Sequence, residues 1–271
     1  MELRAQVTVG FDASDDARRA VAWAGGLARA HAGTTVHLVH ALSLPAIPPH
    51  DWGLRVEELL ARHEEQVRER LEGERLRLAE RGVRCEVFVR RWLPADTLLA
   101  HVREHASGLL VVGGRGENPA LPLLGGVAAT VARRAAAPVV VVRGREAPSP
   151  PRLVLLGLDG SEASRNTARA VAEWFPEARV RALRTRDRDE QEPSLAEVAA
   201  LLEGAGVPRA RTEMRLGEGS AASSLLELAE DSEVELVAVG RRGRAGWKEW
   251  VLGGTTEKLL QLAPCPVLVA H

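Results

Sequence analysis

The sequence predicts an α/β protein composed of two tandem doubly wound domains, each built on a parallel sheet of five strands. Short apolar runs alternate with helical patterns along the chain, and this alternation is typical of parallel strands that helices cover on both faces. Three sequence blocks also occur twice in the same order, which indicates an internal duplication.

The repeated blocks locate the two copies. The pairs are QVTVGFDASDDA from Gln6 with RLVLLGLDGSEAS from Arg152, LLVVGGRG ending at Gly116 with LVAVGRRG ending at Gly243, and LLGGVAATVARRAAAPVVVV from Leu123 with VLGGTTEKLLQLAPCPVLVA from Val251. Between the copies lies the Pro-rich segment 145–152, in which neither a helix nor a strand continues easily. We therefore predict domains at residues 1–148 and 149–271, with the boundary near Ser149.

Apolar runs predict the strands of each copy. In the first copy they cover residues 7–11, 36–42, 85–90, 109–114 and 136–143, and in the second copy 153–159, 179–185, 210–216, 235–240 and 265–270. Helical spacing of apolar residues predicts helices in the first copy at 15–32, 55–81 and 96–105. Asp12, Ser14 and Asp15 are cap-type residues ahead of the first of these helices.

Composition argues against several classes of protein. A formal net charge of −1 over 271 residues argues against a nucleic-acid binder that relies on bulk electrostatics, and 3% aromatic residues argue against base-stacking surfaces. No apolar run approaches the length of a bilayer span, and no signal segment precedes the first strand. We therefore expect a cytoplasmic protein that binds neither nucleic acid nor membranes.

Cysteine and histidine positions do not predict a metal centre. Cys85 and Cys265 lie in unrelated contexts without Cys/His ligand spacing, so we expect two reduced, buried thiols. His37 and His40 alternate with apolar residues on a predicted strand and have no Cys, Asp or Glu at ligand spacing. We expect them to be packing residues rather than metal ligands or an acid–base pair.

A glycine-rich segment follows the fourth predicted strand of the second copy. Gly240 and Gly243 come first, and Gly253 and Gly254 then precede a predicted helix. Glycine lets a backbone approach a ligand closely, and unpaired N–H groups at a helix N-terminus favour an anion such as phosphate. Four basic residues add positive charge to the segment, namely Arg241, Arg242, Arg244 and Lys248. Two interpretations remain open: a phosphate-binding loop, or glycines that serve only the turn.

Together these blocks resemble the universal stress protein family, whose members have an Asp-Gly-Ser type turn after the first strand, a G-x2-G-x9-G-[ST] nucleotide loop and a Pro-Val-Leu-Val final strand. The likeness extends over both copies, as in the tandem two-domain members. The resemblance implies a Rossmann-like, adenine-nucleotide α-hydrolase-like fold that binds ATP or a related nucleotide, with Mg²⁺ as an accompanying ion, and serves in stress survival. It also implies a dimer through the last strand, or the same pairing within one duplicated chain.

The resemblance assigns the nucleotide contacts of the second copy to Asp159, Gly240, Gly243, Gly253, Gly254 and Thr255. The glycine spacing of the family is complete there. Gly254 stands where the family has Ser or Thr, and the loss of that hydrogen bond is worth about 0.5–1.5 kcal/mol. We therefore predict that nucleotide binding in the second copy is weakened but retained.

The matching residues of the first copy are Asp12, Gly113, Gly116, Gly125 and Gly126. Only eight residues separate Gly116 from Gly125, one fewer than the pattern, and Gly126 again replaces the hydroxyl residue. Counting to Gly126 restores nine residues but places Val127 at the hydroxyl position. We therefore predict that the first copy is the degenerate one.

Two pairs of residues near these predicted sites have two interpretations each. Asp12 and Asp159 either lie near the nucleotide or cap the helix that follows, and the two roles are compatible. Trp247 and Trp250 form either a lid or partner-docking patch, or a packing contact with the other copy, and we favour packing because large aromatic side chains usually pack.

Together with the glycine spacing, the resemblance implies a nucleotide-binding stress protein in which the nucleotide is a structural or signalling ligand. The alternative is a stress-related protein-interaction module that has lost nucleotide binding and whose protein partners are unknown. A third class, the ATP pyrophosphatases, needs an SGGxDS-type loop after the first strand, whereas this chain has FDASDD and LDGSEA. We therefore expect no enzyme activity beyond weak ATP hydrolysis.

Overall fold

The computed structural model of the chain describes residues 5–42, 54–115, 124–186, 194–242 and 252–270. Its first half consists of β1 (Gln6–Gly10), α1 (Asp15–Ala30), β2 (Thr35–Ala41), α2 (Leu54–Glu80), β3 (Arg84–Arg90), α3 (Pro94–Glu104), β4 (Leu109–Gly113), α4 (Gly126–Arg134) and β5 (Val139–Val142). Its second half consists of β6 (Leu153–Leu158), α5 (Glu162–Trp174), β7 (Arg179–Arg186), α6 (Leu195–Gly204), β8 (Thr212–Glu218), α7 (Ala221–Ala229), β9 (Leu236–Gly240), α8 (Gly254–Leu262) and β10 (Val267–Ala270). The predicted alternation of strands and helices is confirmed in both copies.

The strands of the described residues form one ten-stranded sheet in the order β3-β2-β1-β4-β5-β10-β9-β6-β7-β8. Each half is parallel, and strand order reverses between its first and fourth strands. The halves meet where β5 pairs antiparallel with β10, with Val140 opposite Leu268. The pairing of last strands that the resemblance implies is therefore made within this one chain.

Helices cover both faces of this sheet and bury two apolar layers that run through both halves. One layer contains the apolar stripes of α1, α2, α5 and α6, and the other contains those of α3, α4, α7 and α8. Alternate residues of a strand enter alternate layers, so Val111 of β4 packs in the first layer and Leu110 in the second. Strands buried on both faces explain the continuous apolar runs in the sequence.

The predicted boundaries differ from the observed ones by up to three residues at the ends of both strands and helices. Helix α1 ends at Ala30 because His31 has an extended backbone, and α3 begins at Pro94 rather than at residue 96 because proline is accommodated in the first helical turn. A short 3₁₀ helix at Arg209–Arg211 delays the start of β8. In the part of the chain that the structure describes, no helix combines the length and apolar character needed for crossing a membrane.

The junction between the two halves contains neither helix nor strand from residue 143 to 152. Its arginines reach the second half, where one Arg145 nitrogen donates to the carbonyl oxygens of Ala229, Asp231 and Val234 at 3.0, 2.7 and 2.7 Å. In return, Arg241 of the second half donates to the carbonyl oxygen of Arg133 at 2.7 Å. These carbonyls lie at or near the C-terminal ends of α7 and α4, where positive charge is favourable.

Candidate functional site

The carboxyl ends of β1, β2 and β4 enclose a pocket of about 170 Å³ at the point where strand order reverses. Ligands of doubly wound folds bind in this position. Its walls include the residues predicted for the first copy that the structure describes, namely Asp12, Gly113, Gly125 and Gly126. The fold therefore brings together residues that are more than 100 positions apart in the sequence, although their role in binding stays a prediction.

Each predicted aspartate organises the turn that leads into the next helix. Asp12 Oδ1 accepts hydrogen bonds from the backbone N–H and the hydroxyl of Ser14, at 3.0 and 2.5 Å. In the second copy, Asp159 Oδ1 accepts from the backbone N–H of Ser161 at 2.9 Å. The N-caps of α1 and α5 are the two serines, so neither aspartate is the cap residue.

The helices α4 and α8 begin differently from α1 and α5. Their N-caps are Gly125 and Gly253, and neither has a side-chain capping hydrogen bond. The first N–H groups of a helix have no partner within it, so these two N-termini keep donors that point out of the helix. At α8 the first residue, Gly254, is exposed and Thr255 is half-buried. This arrangement favours an anion at the end of the helix.

The glycines that end β4 and β9 have a packing reason of their own. A Cβ atom added to Gly113 would lie 2.8 Å from the carbonyl carbon of Asp16, and one added to Gly240 would lie 3.0 Å from Cβ of Ala163. The N-termini of α1 and α5 therefore need glycine at these strand ends. In both copies the backbone at the end of this strand therefore lies close to another element, namely the first helix of the copy, so part of this close approach serves helix packing rather than a ligand.

A buried carboxylate distinguishes the first copy from the second. Asp16, which is 7% exposed, accepts a hydrogen bond from the backbone N–H of Arg115 at 3.0 Å. Its carboxylate also contacts the guanidinium groups of Arg115 and Arg19 at 3.4 and 3.3 Å. The matching residue of the second copy is Ala163. Sequence reasoning missed this difference, whose only signal was the mismatch of Asp16 with Ala163 inside the repeat.

The second copy carries more positive charge at its corresponding edge. Arg184 lies at the end of β7, with a guanidinium nitrogen 2.8 Å from where a Cβ atom of Gly160 would be. The residue that matches Arg184 in the first copy is His40, whose Nδ1 lies 2.7 Å from the carbonyl oxygen of Phe11. Burial and the neighbouring charge of Arg242 lower the pKa of Arg241 at the start of the glycine segment.

The loop of the second copy closes through two hydrogen bonds in its described part. Gly253 N–H donates to the carbonyl oxygen of Arg241 at 2.9 Å, and the Thr256 hydroxyl donates to that of Gly240 at 2.7 Å. The remaining residues predicted for the two loops lie outside the described residues, namely Gly116, Gly243, Arg244, Trp247, Lys248 and Trp250.

The thiols have strongly raised pKa values. Burial raises the pKa of Cys265, which is fully buried, to about 11. Cys85 is only half-buried, contrary to expectation, because it lies on the edge strand β3; desolvation raises its pKa to about 12. Neither thiol is poised as a nucleophile, because the thiolate is the reactive form.

His37 packs in the interior as expected, and it also contacts a second histidine that the sequence analysis did not single out. His37 is buried, and its Nδ1 lies 2.9 Å from Nε2 of His101 on α3. Burial lowers the pKa of His37, and burial together with the charges of His105, His37 and Arg90 lowers the pKa of His101 to about 3. The pairing joins residues 64 positions apart, so local ligand spacing did not reveal it.

Several known proteins that are similar to this chain over nearly its whole length belong to one family. The family model of the universal stress protein family matches residues 4–143 and 151–271. A universal stress protein of Mycolicibacterium smegmatis is 29% identical over 289 residues, covering 98% of this chain and 96% of that protein. A universal stress protein of Mycobacterium tuberculosis is 32% identical over 295 residues, with the same coverage of 98% and 96%.

The solved structures agree on the fold. The crystal structure of a universal stress protein from Archaeoglobus fulgidus superposes with a TM-score of 0.75 at 16% sequence identity, covering 98% of this chain and 97% of the other. The family model matches each half of the chain separately, in agreement with the duplicated sheet. The chain is therefore a tandem two-domain member of the universal stress protein family.

Proposed function

We propose that this protein binds ATP or a related adenine nucleotide in its second domain, as a structural or signalling ligand in the stress response. The observation that carries the proposal is the exchange of Asp16 for Ala163 between the two copies. The second copy combines this neutral residue with complete glycine spacing, whereas the first copy holds a carboxylate against its loop.

The start of α8 supports a phosphate at this place. Its glycine N-cap has no side-chain hydrogen bond, so the N–H groups of the first turn and the helix dipole can stabilise an anion. Arg242 and Arg184 add positive charge at the same edge of the sheet. Gly254 replaces the hydroxyl residue of the family, but Thr255 follows it directly. Thr255 therefore supplies a hydroxyl in the first turn of the helix.

In the first copy a phosphate would compete with the Asp16 carboxylate for the backbone N–H of Arg115. The backbone N–H of Arg115 already donates to the Asp16 carboxylate, so an incoming anion has to displace a charge-assisted hydrogen bond and tolerate the carboxylate beside it. We therefore assign the first copy weak nucleotide binding or none, although its pocket lies at the same point of the fold.

The proposed role is binding rather than catalysis. Asp12 and Asp159 accept hydrogen bonds from the serine that follows two residues later, so each carboxylate orients the turn that leads into the next helix. Mg²⁺ commonly accompanies nucleotide phosphates with only one or two carboxylate ligands, and Asp159 is the described carboxylate that we place near such an ion.

A second candidate function is a protein-interaction module that no longer binds nucleotide. The observation that favours it is the replacement of the family hydroxyl residue by glycine in both copies, at Gly126 and Gly254.

We also propose that the protein acts in the cytoplasm and that the β5–β10 pair takes the place of a dimer contact between chains. Analytical ultracentrifugation of the purified chain tests the last point.

The deciding experiment is calorimetric titration of nucleotide-stripped protein with ATP and Mg²⁺, together with mass analysis of small molecules released when unstripped protein is denatured. We expect one nucleotide per chain, weaker binding in Asp159→Ala and Gly243→Val, and little change in Asp12→Ala as the matched control in the first copy. Absence of both binding and carried nucleotide would favour the interaction module. Equal losses in Asp12→Ala and Asp159→Ala would contradict the assignment to the second domain.

A further inference from the structure

Three histidines meet on the face of the sheet that α3 covers. His37 of β2 is 2% exposed and His101 of α3 is 1% exposed, while His105 at the end of α3 is half-buried. One ring nitrogen of each histidine lies within 4.8 Å of the others. His101 and His105 are one helical turn apart, so their side chains point to the same side of α3.

The separations suit a common metal ion. Zinc–imidazole bonds of about 2.0–2.1 Å in a tetrahedral site place neighbouring ligand nitrogens about 3.3 Å apart. The His37 and His101 nitrogens are 2.9 Å apart, and no pair in the cluster exceeds 4.8 Å. The nitrogens of the three rings are therefore grouped at separations close to those of ligands around one ion.

The cluster is not a satisfied hydrogen-bond network by itself. A neutral imidazole has one donor and one acceptor nitrogen, and the direct bond between His37 and His101 uses one nitrogen of each ring. The other nitrogen of His101, Nδ1, is buried and has no hydrogen-bond partner within the described residues. Buried polar groups usually have partners, so the His101 ring keeps one unused nitrogen while its Nε2 faces His37.

The second domain places a cation at the equivalent point. Arg181 matches His37 in the repeat, and Glu213 lies opposite Arg181 in register as Glu86 lies opposite His37. The Arg181 guanidinium contacts Glu213 and Asp231, each at 2.9 Å. In the first domain the guanidinium is replaced by imidazoles while the carboxylate is kept. A metal cation there would restore the charge arrangement of the second domain.

The surroundings leave one open side. Phe88 of β3 packs against all three imidazoles, with ring centroids 4.9, 4.5 and 5.2 Å from those of His37, His101 and His105. This apolar wall fixes the rings from one side. His105 is only half-buried, so water can reach the cluster from its side, and the exposed Glu86 carboxylate lies in register with His37 and acts on it electrostatically.

We infer that His37, His101 and His105 form a binding site for a divalent transition-metal ion, Zn²⁺, in the first domain. Imidazole nitrogen is a preferred donor for zinc, and three protein ligands with one open position is a common coordination pattern for this ion. The site is separate from the nucleotide site of the second domain and does not depend on it.

The test uses the full chain without an affinity tag, stripped of metal with a chelator and free of nucleotide. The protein is dialysed against graded ZnCl₂ and bound zinc is measured by mass spectrometry. We expect one zinc per chain, and a loss of affinity of at least about 100-fold in His105→Gln, beyond the 10–100-fold typical of outer-shell changes. His63→Gln, on the exposed face of α2, is the matched control and should bind as the wild type does.

A direct measurement on the unaltered protein guards against variants that fail to fold. Substitution with Co²⁺ should give the visible absorption of a four-coordinate ion, and zinc should shift the NMR signals of three imidazoles. Wild-type protein that binds no zinc, or whose zinc affinity is equal in His105→Gln and His63→Gln, would overturn the inference. Shifts confined to His63 or His31 would overturn it as well.

Discussion

Ala13 and Gly160 occupy the same position in the two copies of the turn after the first strand, and both have positive φ, +65° and +76°. The left-handed region costs a residue with a Cβ atom roughly 1–2 kcal/mol, whereas glycine enters it freely. The first domain therefore holds backbone strain at its candidate site that the second domain avoids.

This relationship predicts opposite effects of two matched substitutions. Ala13→Gly should stabilise the protein by up to about 1 kcal/mol, because relief of strain exceeds the entropy of about 0.4–1 kcal/mol that glycine adds to the unfolded chain. Gly160→Ala should destabilise it by about 1–2 kcal/mol, since alanine would enter the left-handed region that glycine occupies here. Urea unfolding measures both, and destabilisation by Ala13→Gly would contradict the strain argument.

Exchanging the residues at Asp16 and Ala163 should redistribute nucleotide affinity between the domains. Ala163→Asp places a carboxylate against the loop of the second domain, and we expect its ATP affinity to fall at least about tenfold. Asp16→Ala should improve binding in the first domain. Asp15→Ala is the control, because Asp15 is fully exposed and, among the described residues, its ion pair is with Arg18 in the same helix. Calorimetry that finds no difference between Ala163→Asp and wild type would remove the proposed basis for the asymmetry.

Arg145 should contribute to the stability of the joined domains. Its side chain donates to three carbonyl oxygens of the second half, and hydrogen bonds from charged groups are worth about 1.5–3 kcal/mol. We expect Arg145→Ala to lower the free energy of unfolding by about 1–3 kcal/mol. Arg209→Ala removes an exposed arginine and should have little effect. An Arg145→Ala variant as stable as Arg209→Ala would show that these contacts contribute nothing.

The buried histidines should make the metal-free protein sensitive to mild acid. The pKa of His101 is about 3 in the folded protein, against about 6.5 in an unfolded chain. Between these values only the unfolded chain takes up the proton. The contribution of His101 to the free energy of unfolding is therefore fully present above pH 6.5 and decreases as the pH falls below it. The limiting slope is about 1.4 kcal/mol per pH unit for one proton.

Several charged groups around the cluster determine the size of this effect. The pKa of His37 is also lowered, so His37 adds to the loss of stability in acid. The positive charge of Arg90 on β3 helps to lower the pKa of His101, whereas the negative charge of Glu86 raises the pKa of His37 and so reduces the effect. Urea unfolding at pH 7 and pH 5 in the presence of a chelator measures the free energy of unfolding at each pH. Between the two pH values this free energy should fall less for His101→Gln than for wild type. Identical slopes would mean that His101 does not take up the proton on unfolding.

The candidate site was partly predictable from the sequence. The glycines, the aspartates and the turn serines are local signals, and the structure places those it describes at the carboxyl ends of the expected strands. The choice between aspartate and serine as helix cap was not predictable, because both types favour that position and only the backbone geometry shows that Ser14 and Ser161 fill it.

The sequence by itself determined the duplication, the order of strands and helices and the parallel sheet of each copy, because these depend on local periodicity and on repetition. Tertiary structure alone decided which distant residues meet. It set Asp16 against Arg115 and brought His37 to His101, and it showed that the expected pairing of last strands, β5 with β10, is made within one chain. Such contacts depend on the register and packing of elements far apart in the chain, and no local pattern of residues encodes them.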